Sequence, residues 1–308
     1  MPPQRRLTET VTDALTVRGY RAGAFAARLL PGPAADALTL PFGATAAMAS
    51  PERRSMIMRH LRRVDPAMSG LALRRAAQEA FDSYARYYVE SFRLPSLSAR
   101  EVDAGLTTVG YHEHVLPALD RGKGVILALP HLGGWEWAGR WLADRGHPIT
   151  AVVERIDPPE LFDWFAALRA DLGMAVVPLG PEAGREVLGA LKRNEIVCLL
   201  SDRDIQRTGV EVEFFGERTT LPAGPATLGL RTGAPVLPTA VYFRNRTGSR
   251  HDGLVRPPLD TSRADGEPLR TAVARVTQQL AGELEVLIRR APAQWHLFQP
   301  NWPSDPGY

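Results

Sequence analysis

The chain has 308 residues, 44% of them hydrophobic, which suffices for one large α/β domain or two ordinary ones. Its single cysteine, Cys198, excludes an internal disulfide and favours a reducing compartment, and its formal net charge is only +3. Because no stretch approaches the ~20 apolar residues that span a bilayer, and because the first ten residues lack the order of a secretory signal, we expect neither a membrane-spanning helix nor a leader.

The charge is divided unevenly along the chain. Residues 1–100 contain 15 arginines, no lysine and 8 acidic residues, a net charge of +7, whereas the remaining residues carry −4. A basic first third joined to an acidic body favours an anionic partner for the first third. The sequence has no recognised nucleic-acid-binding module, so we expect an anionic membrane surface and no nucleic acid.

Helical patterns fill the first 95 residues. Apolar spacing predicts helices over 7–30, 51–64 and 71–93, the last ended by Leu94-Pro95-Ser96. The second helix, PERRSMIMRHLRRV, is basic and amphipathic, as suits the headgroup region of an anionic membrane; the alternative is a core helix with a solvated charged face. We therefore predict a helical, membrane-associating region over 1–95 and an α/β core over 96–308.

Short apolar runs then alternate with helical patterns, and strands are expected to begin only near Gly124. The runs cover 125–129, 149–153, 174–177 and 196–200, and helices are predicted from 135, over 158–171 and over 181–193. Such alternation is typical of βαβ units, so the fold class is α/β, with a largely parallel central sheet flanked by helices. Further strands are predicted at 209–217 and 235–243, and helices at 222–232 and 268–290.

Polar residues directly follow the apolar runs. His131 comes after the first run, Glu154 after the second, and Asp202 and Asp204 after the fourth. The carboxyl ends of parallel strands share one edge of a sheet, where ligands bind in open α/β folds. We therefore expect these side chains to lie at a site, although the alternative for the two aspartates is a turn or helix cap.

Several common catalytic motifs are absent from the sequence. It contains no GxSxG, no GxGxxG and no P-loop, and its histidines lack metal-ligand spacing, so we expect neither a metal nor a bound cofactor. A histidine and several carboxylates remain, which suit a general base acting on a substrate hydroxyl. An alcohol activated in this way attacks a thioester directly, and a carboxylate on the other ring nitrogen would fix the tautomer of the histidine.

The sequence around His131 resembles a known motif. His131 and Glu136 form an H-x4-E within PHLGGWEWAG, which is similar to the H-x4-D/E motif of the lysophospholipid and glycerolipid acyltransferase superfamily. Within it the chain most resembles the lipid A late acyltransferase branch, in particular its actinobacterial phosphatidylinositol mannoside acyltransferases. The similarity covers nearly the whole chain and includes SYARYYVESFRLPSLS (83–98), LFDWFAALRADLGM (161–174), SDRDIQRTGVEVEFFGE (201–217) and APAQWHLFQPNWPSD (291–305).

This resemblance implies an activity and a place in the cell. The implied reaction moves a palmitoyl-type chain from its coenzyme A thioester to a mannose hydroxyl of phosphatidylinositol mono- or dimannoside, by a peripheral protein on the cytoplasmic face of the plasma membrane. His131 would be the base, and Glu211 the carboxylate that fixes its tautomer, with Glu136 as the other candidate. For Glu211 the alternative is a solvent-exposed strand position, which period-two alternation also predicts.

The resemblance also implies roles for residues around the base. Arg169 and Glu136 would hold the site together, and Glu154 and His296 would line the sugar-binding side. Trp135 is a candidate for stacking on the sugar or lining the acyl path, with core packing as the alternative. Open alternatives for the whole chain are an acyltransferase for another glycolipid or lysophospholipid, an acyl carrier protein as donor, and a non-catalytic anionic-lipid-binding protein.

Overall fold

Nine strands and eleven α-helices form the part of the chain that this computed structural model describes, residues 7–308, with side chains from residue 13. The strands are β1 (Leu106–Val109), β2 (Val125–Leu129), β3 (Ile149–Val153), β4 (Met174–Pro178), β5 (Ile196–Leu200), β6 (Val210–Phe214), β7 (Glu217–Leu221), β8 (Val236–Phe243) and β9 (His251–Val255). The helices are α1 (Leu7–Leu29), α2 (Gly32–Ala49), α3 (Pro51–Val64), α4 (Gly70–Arg93), α5 (Ala99–Ala104), α6 (Leu116–Asp120), α7 (Trp135–Asp144), α8 (Pro159–Asp171), α9 (Ala183–Lys192), α10 (Gly224–Thr232) and α11 (Leu269–Arg290).

Seven strands form one sheet in the order β1-β9-β8-β2-β5-β3-β4. All neighbours are parallel except β8 and β9, and β6 and β7 form a separate antiparallel hairpin. Strands β2 and β8 are buried along their whole length, which explains apolar runs without alternation. The predicted α/β fold with a largely parallel sheet and a helical N-terminal region is confirmed.

Both faces of the sheet are covered. Ile126 and Ala128 of β2 face a core built with α9, α10, α11 and the β6–β7 hairpin. Val125 and Leu127 face the opposite core, which α5 and α7 close. Because neither face is open to solvent, the site has to form at an edge of the sheet.

The N-terminal helices pack on one another and on the core. Ile57 of α3 lies in a cluster with Leu73 of α4, and Val17 of α1 lies in a cluster with Phe165 of α8. In α2, Gly43 lies so close to α4 that an added Cβ would be 2.4 Å from the side chain of Asp82. Whether 1–95 and 96–308 are separate domains stays a prediction.

The sequence patterns missed several elements, namely β1, β7, β9, α2, α5 and α6, and two of them show why. Strand β1 precedes Gly124, so the expectation that strands begin only near Gly124 is wrong. Because β1 has four residues and lies at the edge of the sheet, it shows too little hydrophobic pattern to be detected. Helix α2 was not predicted because Asp36 is its only charged residue and Pro41 lies inside it, so amphipathic spacing is absent. Among the described helices, none is both long and apolar enough to span a bilayer.

Candidate active site

His131 and Asp202 meet at the carboxyl edge of the sheet. Strands β2 and β5 are parallel neighbours whose last residues, Leu129 and Leu200, are paired, so the loops that follow them lie side by side. Nδ1 of His131 donates to Oδ1 of Asp202 at 2.7 Å, and the backbone N–H of His131 donates to Oδ2 at 3.1 Å. The expected gathering of His131 and Asp202 at this edge is thus observed.

Asp202 is fully buried and has further partners. The indole N–H of Trp295 donates to Oδ2 at 2.7 Å, and the side-chain amide of Asn301 donates to the backbone carbonyl of Asp202 at 3.0 Å. Burial acts to raise the pKa of Asp202, but the nearby His131 and the hydrogen bonds that His131 and Trp295 donate to the carboxylate hold it below its usual value. An ionised carboxylate only accepts hydrogen bonds, so it keeps a proton on Nδ1 of His131 and leaves Nε2 as the basic nitrogen.

Glu211 does not contact His131, contrary to what the resemblance implied. It lies on the solvent side of β6, where its carboxylate pairs with Arg218 at 3.3 Å, and 69% of its side chain is exposed. The inward positions of β6 are taken by Val212 and Phe214. Period-two alternation therefore described this residue correctly, and Asp202 occupies the position expected for Glu211.

Glu136 does not contact His131 either. It lies in the first turn of α7, is 2% exposed, and its Oε1 accepts from Arg169 of α8 and from the hydroxyl of Tyr87 of α4, both at 2.7 Å. Burial and the nearby Glu136 charge raise the pKa of Tyr87, which keeps its hydroxyl a donor. The implied pairing of Arg169 with Glu136 is present, and it joins three helices beside the site.

Two cavities meet at His131. The first, called here the apolar cavity, has a volume of about 450 Å³, and its lining includes Val152, Leu179, Val187, Leu199 and Leu228. The second, the aromatic cavity, has a volume of about 240 Å³, and its lining includes Tyr84, Tyr87, Tyr88, Trp135, Phe165, Arg169 and His296. His131, Glu154 and Arg203 line both. His131 therefore lies where ligands bound in the two cavities can meet.

The remaining predicted residues lie around these cavities. Glu154 forms an ion pair with Arg203 at 3.4 Å, and Trp135 lies with its ring centroid 5.3 Å from the Arg169 guanidinium carbon. His296 donates its backbone N–H to the carbonyl of His131 at 2.7 Å, and burial and the nearby His131 lower the pKa of its side chain to about 3, so it is neutral at pH 7.

Asp204 has a structural role in a loop, close to the turn or cap that was the alternative to a role in the site. Its Oδ2 accepts from the backbone N–H of Gly209 at 2.7 Å and from the hydroxyl of Thr220 at 2.8 Å. The carboxylate therefore fastens the loop after β5 to the hairpin, although Asp204 also lines the apolar cavity.

Several residues at the site were not singled out in the sequence. Trp295 and Asn301 lie in the block APAQWHLFQPNWPSD, where only His296 was chosen, and Arg203 lies between the two chosen aspartates. Tyr87 lies in the helix predicted over 71–93, where the sequence did not mark it as a site residue. In the described residues no cluster of His, Cys, Asp and Glu is arranged to hold a metal ion.

Comparison with known proteins gives matches along nearly the whole chain. A family model described as bacterial lipid A biosynthesis acyltransferase matches residues 5–304. The phosphatidylinositol mannoside acyltransferase of Mycobacterium tuberculosis is 39% identical over 308 aligned residues, which cover 98% of this chain and 92% of that protein. The protein of the same name from Mycolicibacterium smegmatis is 39% identical over 301 residues, covering 94% and 92%. The lipid A biosynthesis acyltransferase of Haemophilus influenzae is 26% identical over 187 residues, covering 59% and 55%. By the extent of these matches, the chain belongs to the bacterial lipid A biosynthesis acyltransferase family.

Proposed function

We propose that this protein transfers a palmitoyl-type acyl chain from an acyl-CoA thioester to a mannose hydroxyl of phosphatidylinositol mannoside. The acceptor is inferred from the 39% identity with two mycobacterial enzymes of that name. The observation that carries the chemistry is His131, bonded through Nδ1 to a buried carboxylate and lining both cavities. Its Nε2 has no hydrogen-bond partner among the described residues, so that nitrogen is available to a substrate.

The proposed reaction has no covalent enzyme intermediate. Nε2 of His131 accepts the proton of the mannose hydroxyl as its oxygen attacks the thioester carbonyl carbon. The carbon–sulfur bond then breaks, and the departing thiolate takes the proton back from Nε2, which restores the neutral imidazole. Asp202 stabilises the imidazolium between these steps and keeps the ring in the required tautomer.

The linings of the two cavities favour one assignment of substrates. An acyl chain offers only CH₂ groups, which suit the valine and leucine side chains of the apolar cavity. A sugar offers hydroxyls and apolar C–H faces, which suit the tyrosines, Trp135 and the polar groups Glu154 and Arg169 of the aromatic cavity. The two reacting groups would then meet at His131.

The test combines one substitution with several acceptors. The wild type and His131→Ala are incubated with radiolabelled palmitoyl-CoA and with phosphatidylinositol mannoside, another glycolipid or a lysophospholipid, and palmitoyl carrier protein replaces the CoA donor in a parallel set. We expect labelled product from the mannoside and CoA, and none from His131→Ala with an unchanged melting temperature. Turnover retained in that variant would remove the mechanism, and preference for another acceptor would replace the proposed substrate.

We also propose that the protein works as a peripheral protein on the anionic, cytoplasmic face of the plasma membrane, but through α1 and α2 rather than through α3. Two of the five arginines of α3 bond to the C-terminal segment of the protein: Arg59 donates to the carbonyl of Ser304, and Arg63 forms a 2.8 Å ion pair with Asp305. The helices α1 and α2 instead expose large apolar side chains, among them Leu15, Phe25, Leu29, Phe42 and Met48, each more than half exposed. Such a surface is typical of a contact with lipid.

The position of α1 fits this assignment. Tyr20 of α1 packs on Tyr88 and Phe165, with ring centroids 6.0 and 5.7 Å away, and both of these residues line the aromatic cavity. Arg18 and Arg21 are exposed on the same helix and suit anionic headgroups. A membrane that contacts α1 would present a glycolipid headgroup next to the proposed sugar site.

A further inference from the structure

The carboxylate of Asp202 depends on a residue from the far end of the chain. Of the three hydrogen-bond donors that the described residues offer this carboxylate, two belong to His131 and the third is the indole N–H of Trp295 at 2.7 Å. Trp295 is 3% exposed and Asp202 is fully buried, so water does not replace this donor. Asn301 of the same segment holds the backbone carbonyl of Asp202 at 3.0 Å.

The segment that carries Trp295 also touches the other member of the pair. The backbone N–H of His296 donates to the carbonyl of His131 at 2.7 Å, and Trp295 forms an isolated antiparallel bridge with Leu132. The segment therefore bonds to the loops after both β2 and β5. The segment therefore helps to set the position of His131 relative to Asp202, in addition to the pairing of β2 with β5.

We propose that Trp295 is a positioning residue for the reaction, whose side chain acts on His131 through Asp202; this inference rests on the proposed function. A carboxylate rotates easily about its terminal bond, because that torsion has broad minima. The indole N–H, together with the backbone N–H of His131, fixes Oδ2 and so turns Oδ1 towards Nδ1 of His131. The indole N–H can only donate a hydrogen bond, so it holds the Asp202 carboxylate in one orientation.

A purely structural role has to be separated from this one, because Trp295 also packs against the rings of His60 and Phe215. Trp302 provides a matched control. It lies in the same segment, is 0% exposed, and its indole N–H donates to the backbone carbonyl of Phe214 at 3.1 Å. Trp295→Phe and Trp302→Phe thus remove the same kind of buried donor, but only the first removes a bond to Asp202.

The first measurement is steady-state kinetics of the full-length wild type, Trp295→Phe and Trp302→Phe with palmitoyl-CoA and phosphatidylinositol mannoside, well below their melting temperatures. We expect Trp295→Phe to lower kcat by about tenfold or more, within the range of general-base effects, with KM for both substrates little changed. Trp302→Phe should lower the melting temperature while its kcat stays near the wild-type value. An equal loss of kcat in both variants would overturn the proposal.

The second measurement does not depend on activity. In protein labelled with ¹⁵N-histidine, the Nδ1–H of His131 bonded to a carboxylate should give a far-downfield proton resonance, assigned by its loss in His131→Ala. We expect this resonance to shift or broaden in Trp295→Phe and to stay in Trp302→Phe. An unchanged resonance in Trp295→Phe would overturn the inference, whereas a wild type that shows the resonance but no transfer would overturn only the proposed function.

A second variant covers the case in which Trp295→Phe does not fold. In Trp295→His, a ring-flipped imidazole can place Nε2–H where the indole N–H was, although the benzene part of the side chain is lost. At pH 8, where a histidine with a pKa of about 6.5 is neutral, we expect the downfield resonance to persist and most of the wild-type kcat to remain. Loss of both in a folded protein would contradict the proposed role.

Discussion

Asp202 carries a charge that has no contact with water. Its hydrogen bonds hold it ionised, and its nearest cation, once a substrate proton has moved, is the His131 imidazolium. Attraction between unit charges is much stronger in a protein interior than in water, so the pair favours the charged state that forms during attack. At the scale of one residue, burial of this carboxylate supports the proposed role of His131 as a base.

Asp202→Asn should therefore lower kcat by roughly 10²–10⁴-fold, by analogy with the loss of an orienting carboxylate in other histidine-base enzymes. The asparagine amide can donate to Nδ1, which moves the ring proton to Nε2 and leaves no base towards the substrate. The control is Glu211→Gln, which changes only an exposed ion pair with Arg218 and should leave kcat close to the wild-type value. If Glu211→Gln were as inactive as Asp202→Asn, the role implied for Glu211 by the family resemblance would be restored.

At the scale of elements, one buried carboxylate ties α4, α7 and α8 together beside the aromatic cavity. Oε1 of Glu136 accepts from both Arg169 and Tyr87, while its Oε2 is buried without a partner among the described residues. Arg169 is therefore the cation that balances the charge of Glu136, and it contacts only Oε1 of that carboxylate.

Arg169→Met should destabilise the fold by about 3–5 kcal/mol, because it leaves Glu136 as an unpaired buried charge. Adding Glu136→Gln removes that charge, so the double variant should be more stable than Arg169→Met alone. Urea unfolding at pH 7 measures both free energies of unfolding. A double variant no more stable than Arg169→Met would show that loss of packing, and not the unpaired charge, dominates.

The exposed apolar faces of α1 and α2 lead to a prediction for membrane binding. Phe42→Glu should weaken binding to phosphatidylcholine–phosphatidylglycerol vesicles by about tenfold or more, because burying a phenylalanine contributes ~1.5–3 kcal/mol. Val286→Glu on α11 is the control, since Val286 is 48% exposed but lies on another helix. Sedimentation with vesicles at several salt concentrations measures binding, and salt should weaken it through screening of exposed arginines. Equal weakening by both variants, or equal binding to purely neutral vesicles, would contradict this surface assignment.

The elements that sequence patterns predicted are those with strong periodicity or complete burial, such as α3, α4 and β2. The site was harder to predict because strand order is not written in local pattern: β5, and not the next strand along the chain, lies beside β2 and brings Asp202 to His131. Trp295 reaches the same carboxylate from 93 residues away in the sequence. Local patterns placed His131 and Asp202 at the same edge of the sheet, but they did not identify Asp202 as the hydrogen-bond partner of His131.

At the scale of the whole molecule, the N-terminal and C-terminal parts are joined at Asp305. Its buried carboxylate accepts from the backbone N–H of Asn301 at 2.9 Å and pairs with His60 and Arg63 of α3, at 3.3 and 2.8 Å. The chain between Trp295 and Asp305 thus bonds at one end to Asp202 and His131 and at the other end to α3. Helix α3, whose basic sequence predicted a membrane contact, therefore also holds the C-terminal segment that contacts the active site.

The contact between Asp305 and α3 should make the free energy of unfolding depend on pH in a defined direction. Burial raises the pKa of Asp305, but the hydrogen bonds from His60, Asn301 and Arg63 outweigh it and place the pKa well below its ordinary value. A carboxyl group with a lowered folded-state pKa contributes stability above its unfolded-state pKa of about 3.9, and that contribution is lost as pH falls towards the folded-state value. Asp305→Asn should therefore be less stable than the wild type by about 3 kcal/mol at pH 7, the scale of a broken buried ion pair, and the difference should shrink below about pH 4. Urea unfolding of both proteins at pH 7, 5 and 3 measures it; a difference that is the same at all three values would mean that the charge of Asp305 does not hold the two ends of the chain together.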